Sequence, residues 1–158
     1  MPKRLQAEIK QRKPFSCVEA EVYVNLQRTA DRLLEGLEKM LKKSGLSQTQ
    51  YNVLRILRGS APEGLACREI AARMITRDPD ITRLLDRMEG RKFVVRSRDR
   101  RDRRVVKAQI TGRGLRILAK LDAPLEAFHR KQLGHLSESR LKTLSSLLDQ
   151  ARERAVES

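Results

Sequence analysis

The chain has 158 residues, a formal net charge of +15 and a pI of about 10.7, and this excess of positive charge indicates a polyanionic partner. Nucleic acid is the first candidate for that partner and an anionic membrane surface is the second. No stretch approaches the roughly 18 apolar residues of a membrane-spanning helix, and the N-terminus lacks the apolar run of a signal peptide, so we expect a cytoplasmic protein.

The sequence favours a binding protein over an enzyme. It contains no Ser-His-Asp grouping, no glycine-rich phosphate loop and no paired carboxylates in an apolar setting, so neither catalysis nor a cofactor is predicted. His129 and His135 are six residues apart, which places them on different faces of a helix, and no metal site is predicted there. Cys17 and Cys67 have no metal or redox spacing, which is typical of a reducing compartment.

The N-terminal part of the chain reads as a basic arm followed by a long helix. Residues 1–14 carry five Lys and Arg residues between two prolines, so they form either a partly ordered tail or an arm that crosses to a partner subunit or to phosphates. From about Ser16 to Lys43 the apolar residues follow a helical spacing. Ser44 and Gly45 end this helix.

Two shorter helices and a short strand follow. Ser47 and Gln50 have the spacing of a capping box, and they predict a helix that ends at Gly59. Leu65 is expected to start a very short strand that pairs with a later hairpin. Residues 68–74 predict a small alanine-rich helix.

The next helix is expected to carry the function. Asp78 is predicted as its polar cap, with Pro79 in its first turn, where a missing N–H costs nothing. Apolar residues at positions 81, 84, 85 and 88 form a single stripe, and the helix stops near Gly90. Two short helices with a tight connection form a helix-turn-helix by pattern.

A basic β-hairpin follows this helix. Strands are predicted from Phe93 and over 105–110, and residues 91–104 hold eight basic and two acidic residues, a local charge of about +6. Such a run is often only a solvated loop. Behind a capped helix and between two strands, it instead predicts a winged helix-turn-helix, in which the helix enters a major groove and the hairpin tip contacts the backbone or minor groove.

The C-terminal residues predict two further helices. Thr111 caps the first, Pro124 should kink or restart it, and residues 133–136 end it; Ser137 then caps the last helix. Three long apolar helices exceed what one small lobe can bury, so we expect a helical dimer interface. The fold class is therefore mainly α with a small β-hairpin wing (α+β), a single structural domain divided into an arm and long helix (1–45), a winged helix-turn-helix lobe (46–111) and C-terminal dimerisation helices (112–158).

Three segments of the chain are characteristic when taken together. They are 46–54, which opens the second helix, 81–88 in the helix expected to carry the function, and Asp102-Arg103-Arg104 followed by Ile110-Thr111-Gly112-Arg113-Gly114. With these segments, the chain resembles the MarR family of bacterial transcription regulators from about residue 16 to residue 157. The last segment matches the family's Asp-x-Arg wing signature and its Leu-Thr-x-x-Gly close, with Ile110 where leucine is commoner.

The resemblance implies a homodimer that binds double-stranded DNA at a pseudo-palindromic operator and that is released by a small anionic or phenolic effector. It also implies that Arg104 is a structural wing arginine, paired with Asp102 or with Asp86; otherwise Asp86 meets Arg83 or Arg87 on its own helix. The pocket for the effector would be lined by Asn25, Arg28 and Tyr51. We interpret Cys17 and Cys67 as structural rather than redox residues. The expected DNA-binding residues are Arg77, Asp80, Thr82, Arg83, Arg87, Arg98, Arg100, Arg101, Arg103 and Arg104.

The leading hypothesis is a homodimeric sequence-specific transcription regulator, a repressor of its own operon. Two alternatives stay open: a sequence-blind basic protein that binds DNA or RNA, and a dimeric protein-interaction module in which the helix-turn-helix no longer reads DNA.

Overall fold

A computed structural model describes residues 4–78 and 80–155 and forms two compact units, Met1–Gln48 and Thr49–Ser158. None of the described helices is both long enough and apolar enough to cross a bilayer. The elements are helical except for one small antiparallel sheet, as the sequence predicts. In chain order they are α1 (Arg4–Glu8), α2 (Val18–Lys43), α3 (Gln48–Gly59), β1 (Leu65–Ala66), α4 (Cys67–Arg73), α5 (Ile81–Gly90), β2 (Val94–Arg98), β3 (Val106–Ile110), α6 (Gly112–Leu133) and α7 (Glu138–Glu153).

The first unit contains α1 and α2. Helix α1 lies in the segment predicted to be a basic tail or arm, and its residue Leu5 is buried. The side-chain amides of Gln6 and Gln11 both donate to the carbonyl oxygen of Lys13, at 3.2 and 2.7 Å, so this segment is folded back on itself. The sequence did not reveal α1 because a helix of 5 residues is too short to display a period.

Helix α2 agrees with the sequence prediction at its C-terminus. The backbone N–H groups of Ser44 and Gly45 donate to the carbonyls of Leu41 and Lys42, each at 2.9 Å. Gly45 has a φ of 71°, the left-handed conformation that glycine adopts at a helix end with little strain.

The second unit has its core between α3, α4, α5, the sheet and the N-terminal half of α6. The sheet order is β1-β3-β2, antiparallel throughout, with Leu65 opposite Ala108 and Val94 opposite Ile110. The short strand expected at Leu65 is thus confirmed. The fully buried side chains come from every layer of this unit: Val53, Leu54 and Leu57 of α3, Ile70 of α4, Leu85 and Met88 of α5, Phe93 and Val94 at the start of the hairpin, and Leu118 of α6.

The junction between α5, the sheet and α6 is closely packed. The Thr111 hydroxyl accepts from the Gly114 N–H at 3.1 Å and lies 2.7 and 3.1 Å from the carbonyl oxygens of Lys92 and Phe93. A Cβ on Gly114 would lie 2.7 Å from the Phe93 carbonyl oxygen. The Thr-x-x-Gly motif therefore caps α6 and lets its first turn approach the backbone that follows α5.

Two sequence predictions about helices need correction. Helix α5 begins at Ile81 and its N-cap is Asp80, not Asp78; Asp78 instead accepts the Asp80 N–H at 2.9 Å in the preceding turn. Pro79, predicted in the first turn, lies outside the described residues. Helix α6 continues through Pro124, so the helix does not restart there, while the alternative of a kink stays a prediction.

Candidate nucleic-acid interface

The helix-turn-helix consists of α4, the turn 74–80 and α5. Helix α4 contacts α5, β1 and β3, so the sheet supports the first helix of the motif. The turn is held by Asn52 of α3, whose side-chain oxygen accepts a hydrogen bond from the N–H of Ile75 at 2.8 Å. Asn52 is the buried polar residue of the described core. The sequence gives no local sign of this role, because the hydrogen bond joins residues 23 apart in the chain.

We expect Asn52→Ala to lower the free energy of unfolding by about 1–3 kcal/mol, because the Ile75 N–H would lose its partner in a partly buried position. The measurement is urea denaturation followed by circular dichroism. Asn25→Ala is the matched control, since Asn25 is exposed on α2, and we expect a change within about 0.5 kcal/mol there. Equal losses in the two variants would contradict a supporting role for Asn52.

Helix α5 separates its apolar and polar residues cleanly. Ile81, Leu84, Leu85 and Met88 are buried, while Thr82, Arg83, Asp86 and Arg87 are exposed. Asp80, expected to face DNA, serves as the cap: its carboxylate accepts the Arg83 N–H at 3.0 Å and lies 3.4 Å from the Arg83 Nε. The polar face therefore presents a hydroxyl, two guanidinium groups and one carboxylate.

The wing is the hairpin β2–β3 with its connecting turn 99–105, and Asp99 organises the turn. Its carboxylate accepts from the Arg101 N–H and from Lys107 Nζ, both at 2.6 Å, and the Asp99 N–H donates to the Val105 carbonyl at 2.8 Å. The Lys107 contact, followed by the backbone N–H of Arg101, lowers the pKa of Asp99 to about 2. Because the pKa is lowered, the ionised Asp99 carboxylate stabilises the wing at neutral pH, and this stabilisation is lost only as the pH falls towards 2.

Most of the predicted DNA-binding arginines are exposed and available. Arg98 is partly engaged, because its Nη1 donates to the Arg103 carbonyl at 3.0 Å within the wing. A free guanidinium on a rigid support is the group that contacts phosphate oxygens most readily. Within the described ranges 4–78 and 80–155, no ion pair or side-chain hydrogen bond is formed by the side chains of Arg77, Arg87, Arg100, Arg101 and Arg103.

The structure separates the residues expected to form the wing pair. Arg104 bonds Asp102, with its Nε 3.1 Å from the carboxylate, whereas Asp86 bonds Arg96, with the Nη2 2.5 Å away. The expected alternative of an Asp86–Arg104 pair is therefore absent, because Arg104 lies in the turn at the tip of the wing while Arg96 lies in β2, which packs on α5. In the sequence, Arg96 is one of eight basic residues between positions 91 and 104, and its charge alone does not distinguish it from the others.

The residues suggested for an effector fall in different units. Asn25 and Arg28 lie on α2 in the first unit, where the Arg28 Nε is 4.0 Å from a Glu8 carboxylate oxygen. Tyr51 lies on α3 in the second unit, with the Arg55 guanidinium 5.9 Å from its ring centroid. Cys17 is exposed and Cys67 is half-buried, and both are free thiols.

Comparison with known proteins identifies this arrangement. Residues 46–106, which include both helices of the helix-turn-helix and most of the wing, match the model of the MarR family. The crystal structure of a MarR transcription factor from Planctomyces limnophilus is 41% identical, and the match covers 86% of this chain and 98% of that one with a TM-score of 0.66. The chain belongs to the MarR family.

Other members extend the similarity over most of the chain. The HTH-type transcriptional regulator MhqR of Bacillus subtilis (strain 168) is 25% identical over 128 residues, 81% of this chain and 87% of that protein. The structure of CouR from Rhodococcus jostii RHA1, bound to p-coumaroyl-CoA, is 26% identical and covers 91% of this chain and 100% of that one, with a TM-score of 0.73. MhqR and the Planctomyces limnophilus protein are named as a transcriptional regulator and a transcription factor.

Proposed function

We propose that this MarR-family protein is a homodimeric, sequence-specific DNA-binding transcription regulator that represses its own operon. The observation that carries the proposal is the pairing of an exposed polar face on α5 with unpaired arginines at the tip of the wing. Thr82 and Arg83 are suited to base edges in a major groove. Arg77, Arg87, Arg100, Arg101 and Arg103 are suited to phosphates or to the minor groove beside it.

Exposed apolar faces support the homodimer. In the first unit, Val18 and Val22 are one turn apart on α2 and are 67% and 49% exposed. In the second unit, α7 has no buried residue, and its Leu144 and Leu147 are 41% and 56% exposed. A second copy of the chain that covers these faces would remove several large apolar side chains from water, each worth about 1.5–3 kcal/mol when fully buried. A two-fold dimer in turn requires an operator with two related half-sites.

We expect the double variant Leu144→Asp/Leu147→Asp to sediment as a monomer at micromolar concentration, while the wild-type protein sediments as a dimer, because two buried charges oppose association. Sedimentation velocity measures the mass, and far-ultraviolet circular dichroism checks that the helices persist. Ser145→Asp is the matched control on another face of α7 and should remain dimeric. A wild-type protein that is monomeric in this assay would remove the dimer from the proposal.

Release by an effector is a further part of the proposal. It is supported by CouR, whose structure contains p-coumaroyl-CoA, a ligand with both a phenolic ring and anionic phosphates. Arg28 is suited to an anionic group, and Asn25 and Tyr51 to a hydroxyl group or a ring. We propose a small anionic or phenolic molecule as the effector class.

The test of the function is a fluorescence-anisotropy titration with the DNA immediately upstream of the protein's own gene, beside a scrambled duplex and an RNA of equal length, at two salt concentrations. Specific regulation predicts tight binding to the upstream fragment, and an affinity that falls with salt. Equal affinity for the upstream fragment, the scrambled duplex and RNA would favour the second candidate, a sequence-blind protein, which the net charge of +15 also allows. Absence of binding to all three would favour the interaction module.

A further inference from the structure

Arg96 lies on the inner face of the wing. Side chains alternate along a strand, and Val94, two residues before Arg96 in β2, is completely buried. The Arg96 side chain is accordingly only 25% exposed, unlike the arginines at the wing tip. A cation on the inner face of a strand needs partners to compensate its lost hydration, and α5 supplies two of them.

The two partners are carboxylates one turn apart on α5. The Arg96 Nε lies 3.0 Å and the Nη2 lies 2.7 Å from Glu89 Oε2, and the same Nη2 is 2.5 Å from Asp86 Oδ1. The backbone N–H of Arg96 also donates to Glu89 Oε1 at 3.2 Å. Glu89 therefore holds both the side chain and the backbone of the strand. This set of contacts, which we term the Arg96 bridge, joins the wing directly to the recognition helix.

The charges of the Arg96 bridge are mutually dependent. The hydrogen bonds that Arg96 donates to Glu89 and then to Asp86 raise the pKa of Arg96, and the hydrogen bond that Glu89 accepts from Arg96 is the largest cause of the lowered pKa of Glu89. Asp86 lies one turn after Thr82 on the exposed face of α5. Without a nearby cation, Asp86 and Glu89 would place two negative charges beside a surface that is proposed to meet phosphates.

Arg104 does not provide this connection. Its side chain is 92% exposed, and its ion pair is with Asp102, two residues away in the same turn. An exposed pair of this kind contributes little to the position of a whole hairpin. Of the two partners that the family resemblance implied for Arg104, the structure contains Asp102, and the contact between wing and helix at Asp86 is made by another arginine, ten residues after Asp86.

We propose that Arg96 is a positioning residue for DNA recognition: it fixes the wing against α5 and compensates Asp86 and Glu89, without contacting the DNA itself. The proposal rests on the proposed function, because it concerns how the DNA-binding surface is kept in place. It adds a residue to the recognition machinery whose effect on DNA is transmitted through two carboxylates.

The first experiment needs no DNA. Hydrogen exchange of the wing amides is measured in the wild-type protein and in Arg96→Gln, with attention to the N–H of Asp99 and of Arg101, which are hydrogen-bonded within the wing. We expect exchange in the wing to accelerate about tenfold in Arg96→Gln while exchange in α3 is unchanged. Arg96→Lys should restore part of the protection, since an ammonium can meet one of the two carboxylates. Unchanged exchange in the wing would overturn the positioning role.

The second experiment is a double-mutant cycle on DNA affinity, with Arg96→Gln and Asp86→Asn/Glu89→Gln as its two arms. Arg96→Gln alone should weaken binding about 10–100-fold, because it disorders the wing and leaves two carboxylates uncompensated. Removal of the carboxylates as well should recover about tenfold or more of this loss. The same two substitutions in the presence of Arg96 should change affinity much less. Equal effects in both backgrounds would show that Arg96 does not act through the carboxylates.

The salt dependence separates positioning from direct contact. Loss of a phosphate contact reduces the slope of log affinity against log salt by about 0.9 per contact. Arg103→Gln, in the turn of the wing, supplies that comparison for an arginine that is proposed to contact phosphates. Arg96→Gln should keep the wild-type slope. A slope reduced as much as in Arg103→Gln would make Arg96 a direct contact. If the wild-type protein bound no DNA, the proposed function would fail, while the hydrogen-exchange experiment would still decide whether Arg96 holds the wing.

Discussion

We expect the double variant Arg100→Ala/Arg101→Ala to lose about 100- to 1,000-fold in affinity for DNA at physiological salt. Both side chains are exposed at the tip of the wing and form no ion pair with a described residue. If each contacts one phosphate, a dimer loses four contacts, and the slope of log affinity against log salt becomes less steep by about 3–4. The affinity for operator and for scrambled duplex should fall together, because phosphate contacts carry little sequence information.

The matched control is Lys120→Ala/Lys131→Ala, which removes the same charge from exposed positions on α6. We expect less than a tenfold loss for this variant, with a nearly unchanged salt dependence. Comparable losses in the two double variants would mean that overall charge, rather than the wing, determines affinity. Such a result would favour the sequence-blind candidate over the regulator.

We expect Gly64→Ala to destabilise the protein by about 3 kcal/mol or more, combining steric and conformational costs. Gly64 precedes β1 and has a φ of 74°, in the left-handed region. A Cβ there would lie 2.3 Å from the Ala108 carbonyl oxygen and 2.5 Å from Gln109 Cγ. The strand β1 pairs at Ala108, so relief of this clash would have to move β1 away from the wing strand β3.

Thermal unfolding followed by circular dichroism measures the effect of Gly64→Ala, and a loss of this size should lower the Tm by about 6–12 °C in a chain of this length. Gly59→Ala is the matched control, because Gly59 is the last residue of α3 and a Cβ there would meet no atom within 4 Å. This control should be neutral or stabilised by up to about 1 kcal/mol. A neutral Gly64→Ala would show that the β1–β3 pairing can yield at little cost.

The elements that could be predicted from the sequence are those with a local period or a local stop. The apolar stripe on α5 follows directly from the spacing of its apolar residues. Ser44 and Gly45 end α2 through backbone hydrogen bonds that involve only the preceding turn. The start of α5 was misplaced because local signals alone do not fix it. Asp78, Pro79 and Asp80 are all residues that commonly start a helix, and only the hydrogen bond from the Arg83 N–H to Asp80 identifies Asp80 as the N-cap.

The partners of charged side chains could not be predicted in the same way. The bidentate pair of Arg58 with Asp122, at 2.9 and 3.1 Å, joins residues 64 apart in the chain, and nothing local to either residue marks it. Arg96 was less obscure, because the alternation from Val94 places it on the inner face of β2. Within a run of eight basic residues Arg96 did not stand out by its charge, so the predicted partner of Asp86 was Arg104, with the Arg104–Asp102 pair as the alternative that the structure contains.

The closely packed junction at Thr111 and Gly114 has a mechanical consequence. Helix α6 begins there and spans 22 residues, which corresponds to a rod of about 33 Å. If the proposed homodimer holds the far end of such a rod, a tilt of about 5° becomes a displacement of about 3 Å at the junction, close to the rise of one base pair. Because the hydrogen bonds of Thr111 tie the start of α6 to the backbone that follows α5, the stiffness of this joint would then set how many half-site spacings the proposed dimer tolerates.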